Sequence, residues 1–200
     1  MRSWADYDEQ FTVDIRGDEK PSASIAHTWL SLPTGRVVAA DPLGAGHDDP
    51  PAPFVQVVPP GRYRVELLVS NGEVAAARLV VRDEPAASWE PALPEGCPDG
   101  TGYEVNAGTG CFTDERTFRH LSGMPGGDWQ LTLLDDLSWM RDGPTVIARA
   151  EVDGSCGDEG DENVLVAFPS GAGDGIYGTW VGRTAQGEIT CFVTDFFPDK

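Results

Sequence analysis

Arg62-Tyr63-Arg64-Val65-Glu66-Leu67-Leu68-Val69-Ser70-Asn71-Gly72-Glu73-Val74-Ala75-Ala76-Ala77-Arg78-Leu79-Val80-Val81-Arg82 is the stretch that decides the fold class. Tyr63, Val65 and Leu67 recur with a period of two, which places them on one face of a half-buried strand. Asn71-Gly72 tolerates the two positive φ angles of a type I′ turn, whose twist matches that of the flanking strands. The stretch therefore predicts a β-hairpin with strands over 62–69 and 73–82.

The same punctuation continues in both directions. Upstream, Pro59-Pro60-Gly61 turns the chain out of a predicted strand over 54–58, and 41–53, rich in Asp, Pro and Gly, reads as a loop. Apolar runs over 27–32 and 36–40 flank Pro33-Thr34-Gly35 and predict a second hairpin. Phe11, Val13 and Ile15 alternate with polar neighbours, giving a strand over 10–16. Downstream, an acidic, Pro-rich connector over 83–100 carries Trp89, expected to anchor it on the core. A short strand over 103–107 follows, and Thr113 is expected to cap a helix running to Leu121. Asp128 caps a second helix over 129–141, with Trp129, Leu133, Leu137 and Met140 on one stripe. Four more strands are expected over 145–152, 163–168, 176–183 and 188–193. The pattern predicts an α+β fold, predominantly antiparallel β, with about ten strands and two short helices. It is either a sandwich with the helices at one end or two sheets in tandem. An N-terminal segment over 1–27 with one strand precedes a single β-rich domain over 28–196, made of a first sheet portion at 28–82, the connector and a second portion at 101–196. Residues 197–200 are a tail.

Composition narrows the function classes. The 200 residues include 24 glycines and 16 prolines, a turn-rich balance suited to short strands. Lys and Arg together number 14 against 33 Asp and Glu, a net charge of −19. The halves carry −8 and −11, so no single tail accounts for it. Such a field repels phosphates and anionic lipid, arguing against nucleic-acid and membrane-surface roles, and it speeds encounter with a basic protein. No secretory signal or apolar span is visible, so a cytoplasmic location is expected. Cys97, Cys111, Cys156 and Cys191 are separated by 13, 44 and 34 residues, which matches no zinc pattern, and free thiols are expected. Neither a metal nor a cofactor is implied.

Three stretches are candidate sites. Ser170-Gly171-Ala172-Gly173-Asp174-Gly175 lets a backbone approach a ligand closely through Gly171, Gly173 and Gly175, with Asp174 as a base; the plainer reading is a tight turn. It lacks the Gly-Lys-Ser/Thr ending of a phosphate-binding loop. Cys111 follows Gly108-Thr109-Gly110 and is expected just ahead of a helix, where oriented N–H groups would lower its pKa and make it a nucleophile. Its base would be His27 or His47 rather than His120 in the same helix, and its plainer reading is a buried apolar thiol. Finally, 153–162 holds five carboxylates, among them Asp158, Glu159, Asp161 and Glu162. It fails the EF-hand pattern and reads as a solvated hairpin tip able to meet a basic partner, with weak calcium binding as the alternative.

Several motifs occur in one order: Leu32-Pro33-Thr34-Gly35-Arg36-Val37-Val38-Ala39-Ala40-Asp41-Pro42, Pro59-Pro60-Gly61-Arg62-Tyr63-Arg64-Val65, Val105-Asn106-Ala107-Gly108-Thr109-Gly110-Cys111-Phe112, Ser170 to Tyr177, and Thr194-Asp195-Phe196. Over 28–196 this series resembles the bacterial domain-of-unknown-function family DUF4241. Asn106 and Ala172 depart from it, standing where the resemblance leads one to expect an Asp and an aromatic residue. The family implies an ordered domain and no reaction. Two functions of different class follow. One is an acidic interaction module without catalysis, of the immunity type or otherwise binding a basic protein. The alternative is a small hydrolase or transferase using Cys111 or the carboxylates Asp114, Asp174 and Asp195 where the Gly-rich loops meet.

Overall fold

In the computed structural model the described residues are 23–43, 51–70, 72–97, 100, 102–122, 130–131, 148–149 and 165–196. Among them the chain forms strands β1 (Ala23–Leu32), β2 (Val37–Ala40), β3 (Gly61–Ser70), β4 (Glu73–Val80), β5 (Ser88–Pro91), β6 (Tyr103–Val105) and β7 (Thr109–Asp114). Helix α1 (Glu115–Ser122) follows, then β8 (Ala148–Arg149), β9 (Leu165–Pro169), β10 (Gly175–Tyr177), β11 (Thr179–Arg183) and β12 (Ile189–Asp195). The fold is mostly β, in three sheets ordered β1-β3-β4-β12-β11-β5, β2-β7-β9-β8 and β10-β6, every pairing antiparallel. The expected strand over 10–16 and most of the second helix and the acidic loop lie outside the described residues; Gln130 and Leu131 of that helix are helical.

The decisive hairpin is present. Ser70 pairs with Glu73, and Gly72 between them has φ +83°. A bulge at Leu68/Val69 shifts the register near the turn. Val65 and Leu67 on β3 and Ala77 and Leu79 on β4 turn to the core, where they meet Leu30, Leu32, Val181 and Phe192 of the same sheet. Val37, Ala39, Phe112, Val166 and Phe168 of the four-stranded sheet fill the other side of that core, so the two sheets form a sandwich. Val38, Ala40, Cys111, Thr113, Leu165 and Ala167, on the opposite face of the four-stranded sheet, are buried as well. Helix α1 packs against β2 and β7 and buries Thr117, Phe118, Leu121 and Ser122 along one side. That double burial explains why β2 and β9 read as continuous apolar runs.

Several expectations are corrected by non-local pairing. The second hairpin does not form: β1 pairs with β3 in one sheet, whereas β2 pairs with β7 in the other, so Pro33-Thr34-Gly35 is a corner between layers. Of the two arrangements expected, the sandwich forms rather than sheets in tandem; each large sheet draws strands from both portions, and the connector supplies β5 as an edge strand. β1 starts at Ala23, ahead of the expected strand start at 27, and so crosses the boundary drawn at 27/28. Residues 54–58 are a stitch rather than a strand. Phe54 and Val58 donate N–H bonds to Val37 and Gly35 (2.8 and 2.9 Å), while Val55 donates to Leu93 (2.9 Å), closing one side of the sandwich. The prolines on either side of this stitch have no N–H to extend the ladder. The run over 176–183 is split into β10 and β11, in different sheets. Trp89, as expected, packs on the sheet, against Leu68, Ala75, Ala76, Cys191 and Val193.

Candidate functional site at the glycine-rich junction

The two Gly-rich stretches do converge. β6 enters and β7 leaves a turn at Asn106, Ala107 and Gly108, and the turn is held by the Asp41 carboxylate just past β2. Oδ2 of Asp41 accepts the N–H groups of Asn106 and Ala107 at 2.8 Å each, and Oδ1 accepts that of Leu43 at 2.8 Å. Asp41 is only 4% exposed, so these N–H groups replace water around the carboxylate. Gly108, with φ +61°, donates its N–H to Oδ1 of Asp174 at 3.0 Å and accepts the Ser170 N–H at 3.0 Å. The Gly173 carbonyl accepts from the Ser170 hydroxyl at 2.6 Å and from the Tyr177 hydroxyl at 2.8 Å. Both turns are thus cross-linked, and β10 pairs with β6 directly below them.

Beneath the turns lies an aromatic row in which Phe168 is 5.4 Å from Phe112 and 5.9 Å from Phe196, with Tyr177 edge-on to Phe196 at 5.0 Å. Tyr103 lays its hydroxyl over Gly110, where an added Cβ would sit 2.7 Å from that oxygen. Burial first, then Cys111, pushes the Tyr103 phenol well above its ordinary range. Beside it, the Thr179 and Thr194 hydroxyls share a buried hydrogen bond at 2.8 Å.

Cys111 is not at a helix terminus. It lies within β7, opposite Ala40 on one side and Ala167 on the other, and is fully buried. Burial, and secondarily the Asp41 carboxylate, push its thiol well above the usual range, the reverse of an activated nucleophile. The helix begins later than expected, because Thr113 continues the strand and Asp114 is the cap, its Oδ1 accepting the Arg116 N–H at 3.0 Å. Asp174 is exposed, with one oxygen on Gly108. Asp195, at the end of β12, pairs with Ala76 of β4 and alternates to the opposite face from Thr194, away from the junction. Gly171 and Gly173 have φ +52° and +91° and shape the loop, while Gly175 opens β10. His27 is exposed on β1, and His120 is exposed on α1. His47, Asp158, Glu159, Asp161 and Glu162 lie outside the described residues.

Asp41 and Tyr103 are the junction residues that sequence reasoning underrated. The available signal was an Asp-Pro directly after an apolar strand, a place where a short carboxylate can reach neighbouring backbone. Cys97, Cys111 and Cys191 carry free thiols. Among the described residues no cluster of His, Cys, Asp or Glu is placed to hold a metal ion, and no helix is long and apolar enough to cross a membrane.

Charge is distributed unevenly around this frame. Arg36 bridges Glu95 at 2.6 Å and pairs with Glu115; Arg64 bridges Glu66 and Asp83 at 2.7 and 2.6 Å; Arg78 bridges Glu66 at 2.6 Å. Arg82 pairs with Glu188 at 3.0 Å, Arg119 with Glu115 at 2.7 Å, and Arg183 with Glu90 at 2.6 Å. The Arg183 guanidinium accordingly holds the Glu90 carboxyl below its ordinary value.

A family model described as a protein of unknown function (DUF4241) matches residues 30–194. Comparison with curated proteins and with solved structures gives no match.

Proposed function

The chain belongs to the DUF4241 family, and from that premise we propose that it is an acidic binding module that engages a basic protein partner without a catalytic step. The observation that carries the reading is the disposition of charge. Arg36, Arg64, Arg78, Arg82, Arg119 and Arg183 are each paired within the chain, so the charge of these six is offset locally and leaves the −19 excess standing. An acidic excess spread over both halves steers a basic partner over about 8 Å at physiological salt. The hydrolase or transferase alternative draws less support from the junction, since Cys111 is sealed and the carboxylates there are occupied in holding backbone.

The test is kinetic. Basic proteins recovered on the immobilised chain at low salt are purified, and their association rates are measured across a salt series. A cognate partner should associate more slowly as salt rises. Replacing Asp158, Glu159, Asp161 and Glu162 by their amides should lower the low-salt rate. A partner whose rate ignores both salt and this replacement would sink the reading.

A further inference from the structure

We infer that the outer face of the β6–β10 ribbon, centred on Ile176 and Glu104 and flanked by Asp174, is the surface on which a basic partner with an apolar anchor docks. This deepens the basic-partner reading above and rests on it. Ile176 is 65% exposed, the most exposed large apolar side chain among the described residues. It pairs with Glu104, so the two side chains leave the ribbon on the same side as cross-strand neighbours. Their neighbours in sequence, Tyr103, Val105 and Tyr177, turn inward to the core. An isolated exposed apolar residue is ordinary on a protein surface; its surroundings distinguish this one.

The first distinguishing feature is charge. Six of the described carboxylates elsewhere, Glu66, Asp83, Glu90, Glu95, Glu115 and Glu188, are matched by arginines, and the exposed Glu73 and Glu84, which form no ion pair among the described residues, lie within five residues of Arg78 and Arg82 in sequence. Between Gly102 and Asp114, and again between Leu165 and Gly182, there is no lysine or arginine at all. Glu104 and Asp174 therefore face solvent with no cation from their own segments to offset them, and the complementary surface is cationic. The second is preorganisation. Two N–H bonds to Asp41, from Asn106 and Ala107, and the Gly108 bond to Asp174 hold the turns above the ribbon, so little ordering is needed when a partner arrives. A partner of this chemistry offers an aliphatic side chain to Ile176 and flanking lysines or arginines to Glu104 and Asp174.

Two synthetic peptides serve as probes, one of lysines and arginines with two central leucines, the other equally charged with glycines in place of the leucines. Amide correlation spectra of the full chain are titrated with each at low salt. The leucine peptide should shift the amides of Glu104 and of residues 174–177. Ile176→Ser should weaken it about fivefold or more and leave the glycine peptide unchanged. Glu104→Gln should weaken both peptides. Both positions are exposed, so neither variant disturbs the core. If the leucine peptide binds but shifts only residues outside the ribbon, or if Ile176→Ser does not weaken it, the surface is wrong and the basic-partner reading stands. If neither peptide binds, both fall.

Discussion

Asp114 and Thr34 stand 80 positions apart and are joined twice: Oδ2 of Asp114 accepts the Thr34 N–H at 2.9 Å and its hydroxyl at 2.8 Å. The other oxygen caps α1 through Arg116, so one fully buried carboxylate ties the corner between the two sheets to the start of the helix. A parallel link runs beside it, from the Glu115 N–H to the Arg36 carbonyl at 2.9 Å.

Asp114→Ala should cost about 3 kcal/mol or more in urea denaturation, because it removes a charged acceptor and strands buried donors. Thr34→Val, which loses only the hydroxyl bond, should cost about 1 kcal/mol. Their double-mutant cycle should show coupling of roughly 1 kcal/mol. Simple additivity would disprove the link.

Two glycines with similar angles should respond very differently to alanine. Gly35 has φ +72°, and a Cβ there would sit 1.9 Å from the Val58 carbonyl oxygen; Gly72 has φ +83° with open space around it. Gly72→Ala should cost about 1–2 kcal/mol, the backbone penalty alone. Gly35→Ala should cost well beyond that or prevent folding, because the obstacle is backbone. Equal losses in thermal melts would contradict the corner packing.

Thiol chemistry should separate the cysteines. Cys97 is exposed, whereas Cys111 and Cys191 are buried. Brief treatment of the native chain with a thiol reagent, followed by peptide mapping, should label Cys97 and spare the other two until the chain unfolds. Labelling of Cys111 as fast as Cys97 would restore it as a candidate nucleophile.

Stability should fall on the alkaline side. Cys111 and Tyr103 are both held above their ordinary values by burial, so the unfolded chain releases these protons first. Their contribution is fully present below the unfolded values, about 8.5 for a thiol and 10 for a phenol, and is lost as pH rises from there toward the folded values. Cys111→Ala should melt at a lower temperature near neutrality yet lose less stability than the parent between about pH 8.5 and 10. Identical pH slopes for the two chains would refute this.

By itself the sequence determined the local elements that depend on neighbouring residues. The alternation of Val65 and Leu67, the turn at Gly72 and the breaks at the Gly- and Pro-rich stretches specify strands and antiparallel β, and the motif series from Leu32 to Phe196 identifies the family. Short-range chemistry suffices for these because a period of two and a positive φ act within a few residues. The tertiary structure alone decided which strand pairs with which. An apolar run such as Val37 to Ala40 carries no label for its partner, so the corner at Gly35 resembled a hairpin and the strand through Cys111 resembled the approach to a helix. Burial on both faces, available only inside a layered fold, placed Cys111 in the middle of a sheet. The junction was half legible: the Gly-rich loops were visible, but the carboxylate that holds them, Asp41, lies 65 residues from its partner Asn106, and only folding could bring the two together.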